Sequence, residues 1–325
     1  MSKFKDLGDA LYTGDKSINF VGRRKIWYLV SAALIIISSI LPFTLQNGFN
    51  FGIEFRGGSE FTVSGAAEKG VELARTAVES TLPGKEIVVS TVGSDSVRIQ
   101  TPQLEDTQSE EVRKKLASAY SVDSAAVSSS YISASWGGDI TNKALLGLLW
   151  FLVLAAVLMA LYFRTVKMSI AAMIALIHDM VITTGIYGAF GFEVTPAAVI
   201  GFLTILGYSL YDTVVVFDKI RENTLEVEHS ETATFAERVN LAINQTLVRS
   251  INTTVVAILP VASILFIGAI VFGAGTLRDI SLAIFIGMLV GTFSTIFIAS
   301  PFYSQLREGE AKFKAAAEKV LAKRS

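Results

Sequence analysis

Few side chains able to do chemistry lie within the long apolar runs of this chain, so each can be weighed by its position. Asp212 stands in Gly207-Tyr-Ser-Leu-Tyr-Asp212-Thr-Val-Val-Val-Phe-Asp218. If the run ends near Asp218, Asp212 lies about 9 Å inside it at ~1.5 Å per helical residue. A charged group at a bilayer centre costs at least about 2.5 kcal/mol, so such a carboxyl faces protein rather than lipid. With a cation that approaches and withdraws, it can take up and release a proton. The competing reading is a fixed structural ion pair. Arg249 is the candidate cation, in Leu247-Val-Arg249-Ser-Ile-Asn-Thr-Thr254. Asn252 and Thr253 follow at i+3 and i+4 and share its helical face, and its side chain is long enough to reach toward Asp212. Its ordinary alternative is a cationic anchor at the membrane surface. His178-Asp179 falls midway along another run and reads either as a secondary proton relay or as a packed polar pair. Ser209 with His178 is a weak protease candidate, because the histidine precedes the serine, unlike the order in rhomboid-type chains. The sequence holds two histidines, no cysteine, and no H-E-x-x-H or P-loop pattern. A resident metal, a thiol nucleophile and an ATP-driven motor are therefore not expected, nor is any cofactor. The expectation is a chain that is not an enzyme.

The elements that must position these residues are membrane helices. Hydrophobic residues make up 51% of the 325 and charged residues only 18%, against about 25% charged in soluble domains. Six runs reach the roughly 20 apolar residues that a bilayer requires: about 26–45, 144–163, 168–192, 195–217, 250–272 and 280–302. Lys3, Lys5, Lys16, Arg23, Arg24 and Lys25 precede the first run, and the tail at 307–325 is also basic. By the positive-inside rule both tails, 1–25 and 307–325, face the cytoplasm. A net charge of −1 argues against nucleic acid as a partner and leaves membrane lipid as the surroundings. Residues 143–306 thus read as a five-helix bundle joined to helix 1 by an extracytoplasmic segment, 46–142. That segment alternates like strands at 59–64, 86–92, 96–101 and 126–133, with helical spacing at 71–82 and 110–120 and a hairpin turn at Gly93–Asp95. The order βαββαβ predicts a small α+β ferredoxin-like domain. The fold class expected is an α-helical polytopic membrane protein with a 1+5 arrangement.

At this point motifs resemble a known family. Phe51-Gly-Ile-Glu-Phe-Arg-Gly-Gly58 looks like the G-I-D-F-x-G-G signature of SecF, with Glu54 in place of the usual Asp. Ala175–Asp179 is similar to the family's third-span motif. The stretch Gly207–Asn223 resembles its G-Y-S-x-x-D-T-V-V-x-F-D-R-I-R-E-N, with Tyr211 where many members have Asn. Arg249–Thr254 and Phe297–Pro301 complete the set. The resemblance implies a SecF-like subunit of the bacterial SecDF complex, within the resistance-nodulation-division superfamily, in the cytoplasmic membrane. It implies SecD as the other half, the SecYEG translocon and YajC as partners, and unfolded preprotein as client. A proton or sodium gradient would supply the energy, with coupling carried by Asp212 and Arg249. Gly52, Glu54, Arg56, Gly57 and Gly58 would hinge the outer domain to the first span. A half-transporter of the same superfamily exporting a small molecule or lipid is the alternative.

Overall fold

The computed structural model describes every residue except Met1, Asn47, 67–69, 93–95, 228–231, 272–274 and Ser325. The hairpin turn expected at Gly93–Asp95 lies outside the described residues.

An N-terminal helix, α1 (Ser2–Thr13), precedes the first long helix, α2 (Arg24–Leu45). The small domain expected on the outer side, called the outer domain for that expectation, then forms from α3 (Ile53–Arg56), β1 (Gly58–Ser64), α4 (Val71–Glu79), β2 (Val88–Val92), β3 (Ser96–Thr101), α5 (Asp106–Ala119) and β4 (Val127–Ile132). Its strands order as β2-β3-β1-β4, all neighbours antiparallel. This is the split βαβ arrangement of ferredoxin-like folds. Alternation decides which face is covered, because successive side chains on a strand point to opposite sides. Phe61 and Val63 pair in register with Ile99 and Val97, and all four are fully buried. Ala74 and Val78 of α4 and Val112 and Leu116 of α5 close over them.

Five further long elements follow: α6 (Ala134–Phe163), α7 (Val166–Ala189), α8 (Pro196–Thr224), α9 (Phe235–Ser263) and α10 (Gly275–Ser294). Two of them continue in π-helical geometry, α9 over Ile264–Val271 and α10 over Thr295–Ala299, the latter leading into α11 (Ser300–Glu308). A C-terminal helix, α12 (Ala311–Arg324), completes the chain. Among the described residues, six helices are long and apolar enough to cross a membrane, and the protein is a multi-pass membrane protein. The helices outrun the apolar stretches. α6 starts at Ala134, inside the segment assigned to the outer domain, where Ser133 caps it by accepting from the Trp136 N–H. α9 starts at Phe235 with a reciprocal Thr234/Glu237 capping box. Caps, rather than hydropathy, set these ends.

Small residues decide which helices touch. Between α8 and α10, a Cβ on Gly201 would meet Ala283 Cβ at 2.7 Å, one on Gly287 would collide with Ile205, and one on Gly291 would stand 3.0 Å from Ser209 Cβ. The G-x-x-x-G at 287–291 thus serves contact within this chain. Between α2 and α7, Gly185 lies against the Ser38 backbone and Gly188 against Phe49 and Pro42. Pro301 supplies no N–H for a helical bond. Beside it, Ser300 Oγ donates to the Thr295 carbonyl at 2.9 Å, and the π turn absorbs the break.

Replacing Gly287 with Val would push α10 off Ile205. An overpacking penalty of about 1–3 kcal/mol is expected, seen as a lower midpoint of thermal unfolding in detergent. Gly147→Val on α6, where a Cβ meets nothing within 4 Å, is expected to leave the midpoint near wild type.

Candidate functional site

α8 brings Ser209, Asp212 and Thr213 onto one side of a helix, and all three are buried. Asp212 is 4% exposed. Its Oδ1 accepts a hydrogen bond from Ser250 Oγ of α9 at 2.8 Å. Its Oδ2 is buried without a hydrogen-bond partner among the described residues. Hydroxyl groups surround it. Thr213 and Thr295 bond to each other at 3.0 Å, and Thr295 Oγ1 donates to the Gly291 carbonyl. One turn outward, Tyr208 OH donates to Thr254 Oγ1 at 3.0 Å, and Thr254 meets Thr292 at 2.6 Å. These hydroxyls can both donate and accept, so the same scaffold suits an ionised or a protonated carboxyl.

A second buried group lies alongside. Ser209 Oγ donates to Asp179 Oδ2 at 2.5 Å, and His178 Nδ1 lies 3.2 Å from Asp179 Oδ1. His178 stacks on Phe293, and its Nε2 has no partner among the described residues. The aspartate sits between serine and histidine, so nothing here makes His178 the base for Ser209. A nucleophilic triad requires the imidazole on the hydroxyl.

The structure does not pair Arg249 with Asp212. Arg249 is exposed, and Ser250 takes its expected place. Successive helical residues are separated by about 100°, so only one of two neighbours can face α8. Asn252 is likewise exposed and Thr253 half-buried. The residue that joins the polar centre is Thr254, one turn from Ser250. Tyr211, adjacent in sequence to the carboxylate, is 56% exposed and points away from it; Tyr208 is the tyrosine that enters the hydroxyl network. Sequence reasoning missed Ser250, Thr254, Thr292 and Thr295. The available signal was the i, i+4 spacing of Ser250 and Thr254 opposite a carboxylate.

The signature residues form a separate site at the end of the bundle that carries the sheet domain. Gly57 (φ 76°) and Gly58 (φ 150°) occupy backbone conformations natural only to glycine. A Cβ on Gly57 would come within 2.8 Å of the Ala134 backbone, and one on Gly137 within 2.5 Å of the Phe55 carbonyl. The signature is therefore wedged against the start of α6. Gly52 binds the loop before α8: its N–H donates to the Val194 carbonyl at 3.0 Å, and the Val194 N–H donates to Asn50 at 2.7 Å. Arg56 reaches outward to Glu86 at 3.7 Å. Glu54 turns inward. Its Oε2 is buried without a hydrogen-bond partner among the described residues. Burial holds its carboxyl above the usual range, against the opposing pull of its own backbone N–H; the carboxylates Glu193 and Glu60 add smaller upward pushes and Arg98 a smaller downward one. Glu193, Glu60, Arg98 and Gln100 were not singled out from the sequence.

A polytopic helical bundle with a split βαβ domain after its first helix, and buried carboxyls in its third and fourth spans, defines a class of membrane transport protein. The family described as protein export membrane protein SecD/SecF, C-terminal, matches residues 111–309, and the SecD/SecF GG motif matches residues 43–65. The protein translocase subunit SecF of Streptomyces coelicolor is 46% identical over all of this chain and 86% of its own length. That of Mycobacterium tuberculosis H37Rv is 39% identical over 97% of this chain and 73% of its own. A crystal structure of SecDF from Thermus thermophilus, titled a translocon-associated membrane protein, superposes with a TM-score of 0.78 at 31% identity. The match covers 90% of this chain and 39% of that one. The chain belongs to the SecD/SecF family of protein-export membrane proteins, and its likeness is to SecF.

The geometry ranks the two neighbours on α9. Ser250→Ala leaves a buried carboxylate without its donor, and a loss of about 1–3 kcal/mol is expected. Arg249→Ala removes an exposed side chain and is expected to leave the isolated chain within about 0.5 kcal/mol of wild type. Thermal unfolding of the two variants in the same detergent checks the order.

Proposed function

We propose that this chain is the SecF-type half of a SecD–SecF machine in a bacterial cytoplasmic membrane, with both termini on the cytoplasmic side. It assists protein translocation beside the SecYEG translocon, with YajC as a further associate and unfolded preprotein as client. Ions moving down their gradient, protons in the favoured reading, pass through Asp212 and drive movement of the outer domain. No bound cofactor and no covalent catalysis enter this scheme.

The observation that carries the reading is Asp212 itself: buried, bonded on one oxygen, unpartnered on the other, and ringed by hydroxyls. Such a group can hold a proton without rearranging its neighbours. The uncovered face beside it supports a second half-machine as partner. Arg249, Asn252, Val256 and Leu259 of α9 and Ile200, Thr204, Gly207 and Tyr211 of α8 are all exposed. A subunit docked there would dry this face and turn Arg249 into a buried cation next to the carboxylate's helix. Arg249 would then alternate between the incoming subunit and Asp212. One proton crossing about 100 mV makes roughly 2.3 kcal/mol available. Fully reversing a two-state element needs about 5.5 kcal/mol, so more than one proton per full swing is expected at that voltage.

Asp212→Asn keeps shape and polarity but cannot cycle a proton. In vesicles carrying this chain with its SecD-type partner, gradient-dependent preprotein export and proton flux are expected to fall at least about tenfold, with assembly intact. Wild-type levels of both would refute the role of Asp212.

A further inference from the structure

The outer junction holds a feature that the coupling reading does not use. Three carboxylates from three separate elements gather there around one cation, which pairs with two of them. Glu54 comes from α3, Glu60 from β1 and Glu193 from the loop before α8. Arg98 of β3 lies 3.4 Å from Glu193 Oε2 and 3.6 Å from Glu60 Oε1. Gln100 Nε2 donates to both, at 2.6 Å to Glu193 Oε1 and 3.0 Å to Glu60 Oε2. Glu54 is left out of this arrangement. Its Oε2 shares with Glu193 Oε1 the small space that a side chain on Gly52 would fill: a Cβ there would collide with the first and stand 3.2 Å from the second. Gly52 has an ordinary φ of −62°, so room for the two carboxyls, not backbone freedom, is what glycine supplies.

The cluster is under-bonded. Glu54 Oε2 and Gln100 Oε1 are buried without hydrogen-bond partners among the described residues, and Arg98 Nε reaches Glu60 only as an ion pair at 3.6 Å. Buried polar atoms in folded proteins are nearly always paired, so two orphans beside a stretched ion pair mark a place with another arrangement available. The mechanical setting matches. The junction joins the outer domain, through β1 and β3, to the membrane bundle, through Glu193 and the backbone bridge of Gly52 with Val194.

We propose that Glu54 and Glu193 form a proton-operated latch between the outer domain and the membrane bundle, closed when one proton is held between them and released when it is lost. With the proton, Glu54 becomes a donor beside a carboxylate oxygen. Without it, the cluster carries three negative charges against one positive charge in a partly buried space, and like charges this close repel. The other charged groups nearby are paired or exposed, but the buried Asp279 of α10 also bears on Glu193 and adds to the negative side. On α10, Arg278 is paired with Asp279 at 3.2 Å. On α6, Asp139 is exposed, and on α3 itself Arg56 points to Glu86. The direction of the Glu54 shift fixes the sign. A carboxyl held above its ordinary value makes the closed form strongest at low pH and weaker as pH rises from about 4.3 upward. Acidity on the outer side therefore holds the latch shut. This inference does not depend on Asp212.

The chain has no cysteine, so two introduced ones carry spin labels uniquely. Ser129→Cys on β4 and Ile200→Cys on α8 are both at exposed positions. In the full chain reconstituted in lipid nanodiscs, electron–electron distances are measured at about pH 4 and about pH 8, below and well above the ordinary glutamic-acid value. The short-distance population is expected to fall several-fold at the higher pH. Glu54→Gln, which stays neutral, is expected to keep the low-pH distribution at both. Glu193→Gln removes the other half of the repulsion and carries the same expectation, which covers the case in which the first variant fails to fold. A wild-type distribution that does not respond to pH overturns the latch. So does a folded variant of either kind that responds just as the wild type does. Repeating the measurement with Asp212→Asn separates the two ideas: the latch predicts an unchanged pH response there, and loss of that response would place the titrating group at Asp212 instead.

Discussion

Glycine-mediated contact between α8 and α10 is the constraint on which the polar centre rests. With Gly201, Gly287 and Gly291 in place, side chains of one helix touch backbone of the other. That approach puts Thr295 beside Thr213, and Gly291 leaves room for the Ser209–Asp179 bond between α8 and α7. A larger residue at any of these positions would open a gap about as wide as a methyl group or more. The hydroxyls would then lose their partners in an environment with no water to replace them. The same closeness explains the π turn at Thr295–Ala299, which shifts the helix register where Thr295 must reach its partners and where Pro301 withholds a donor.

The outer domain is tied to this bundle at one compact junction rather than by a free linker. Gly57 is pressed on Ala134, the Phe55 carbonyl on Gly137, and Gly52 on Val194. Motion of the domain therefore requires breaking specific contacts, and the carboxylates at that junction supply a charge that can decide when. The bundle and the outer domain each carry an under-bonded carboxyl, Asp212 of α8 and Glu54 of α3. One sits among hydroxyls and the other among charges, so the first tolerates both protonation states and the second discriminates between them.

Much of the fold is legible along the chain. Membrane helices announce themselves by length and hydropathy, and the outer strands by period-two alternation. The helix ends are less legible: α6 and α9 begin well before their apolar runs, because Ser133 and Thr234 cap them. The candidate site divides the same way. Asp212 stands out because a carboxylate in an apolar run is rare. Ser250 does not, because serine is unremarkable in a helix until its orientation is known. Arg249 attracts attention by charge, yet helical geometry turns it outward and gives the contact to its neighbour. Glu193 and Glu60 carry no local pattern at all, since what matters about them is convergence from separate elements.

What the sequence by itself determined is the number of spans, the fold of the outer domain, the family, and the one deep carboxylate in α8. These follow from local composition, periodicity and motif, which survive in one dimension. Only the tertiary structure decided which donor satisfies that carboxylate, that the G-x-x-x-G works within the chain, and that Glu54 faces Glu193 across Gly52. Those outcomes depend on the rotation of each helix about its axis and on which elements come within a few ångströms. Hydrogen bonds and charge repulsion act only at such distances.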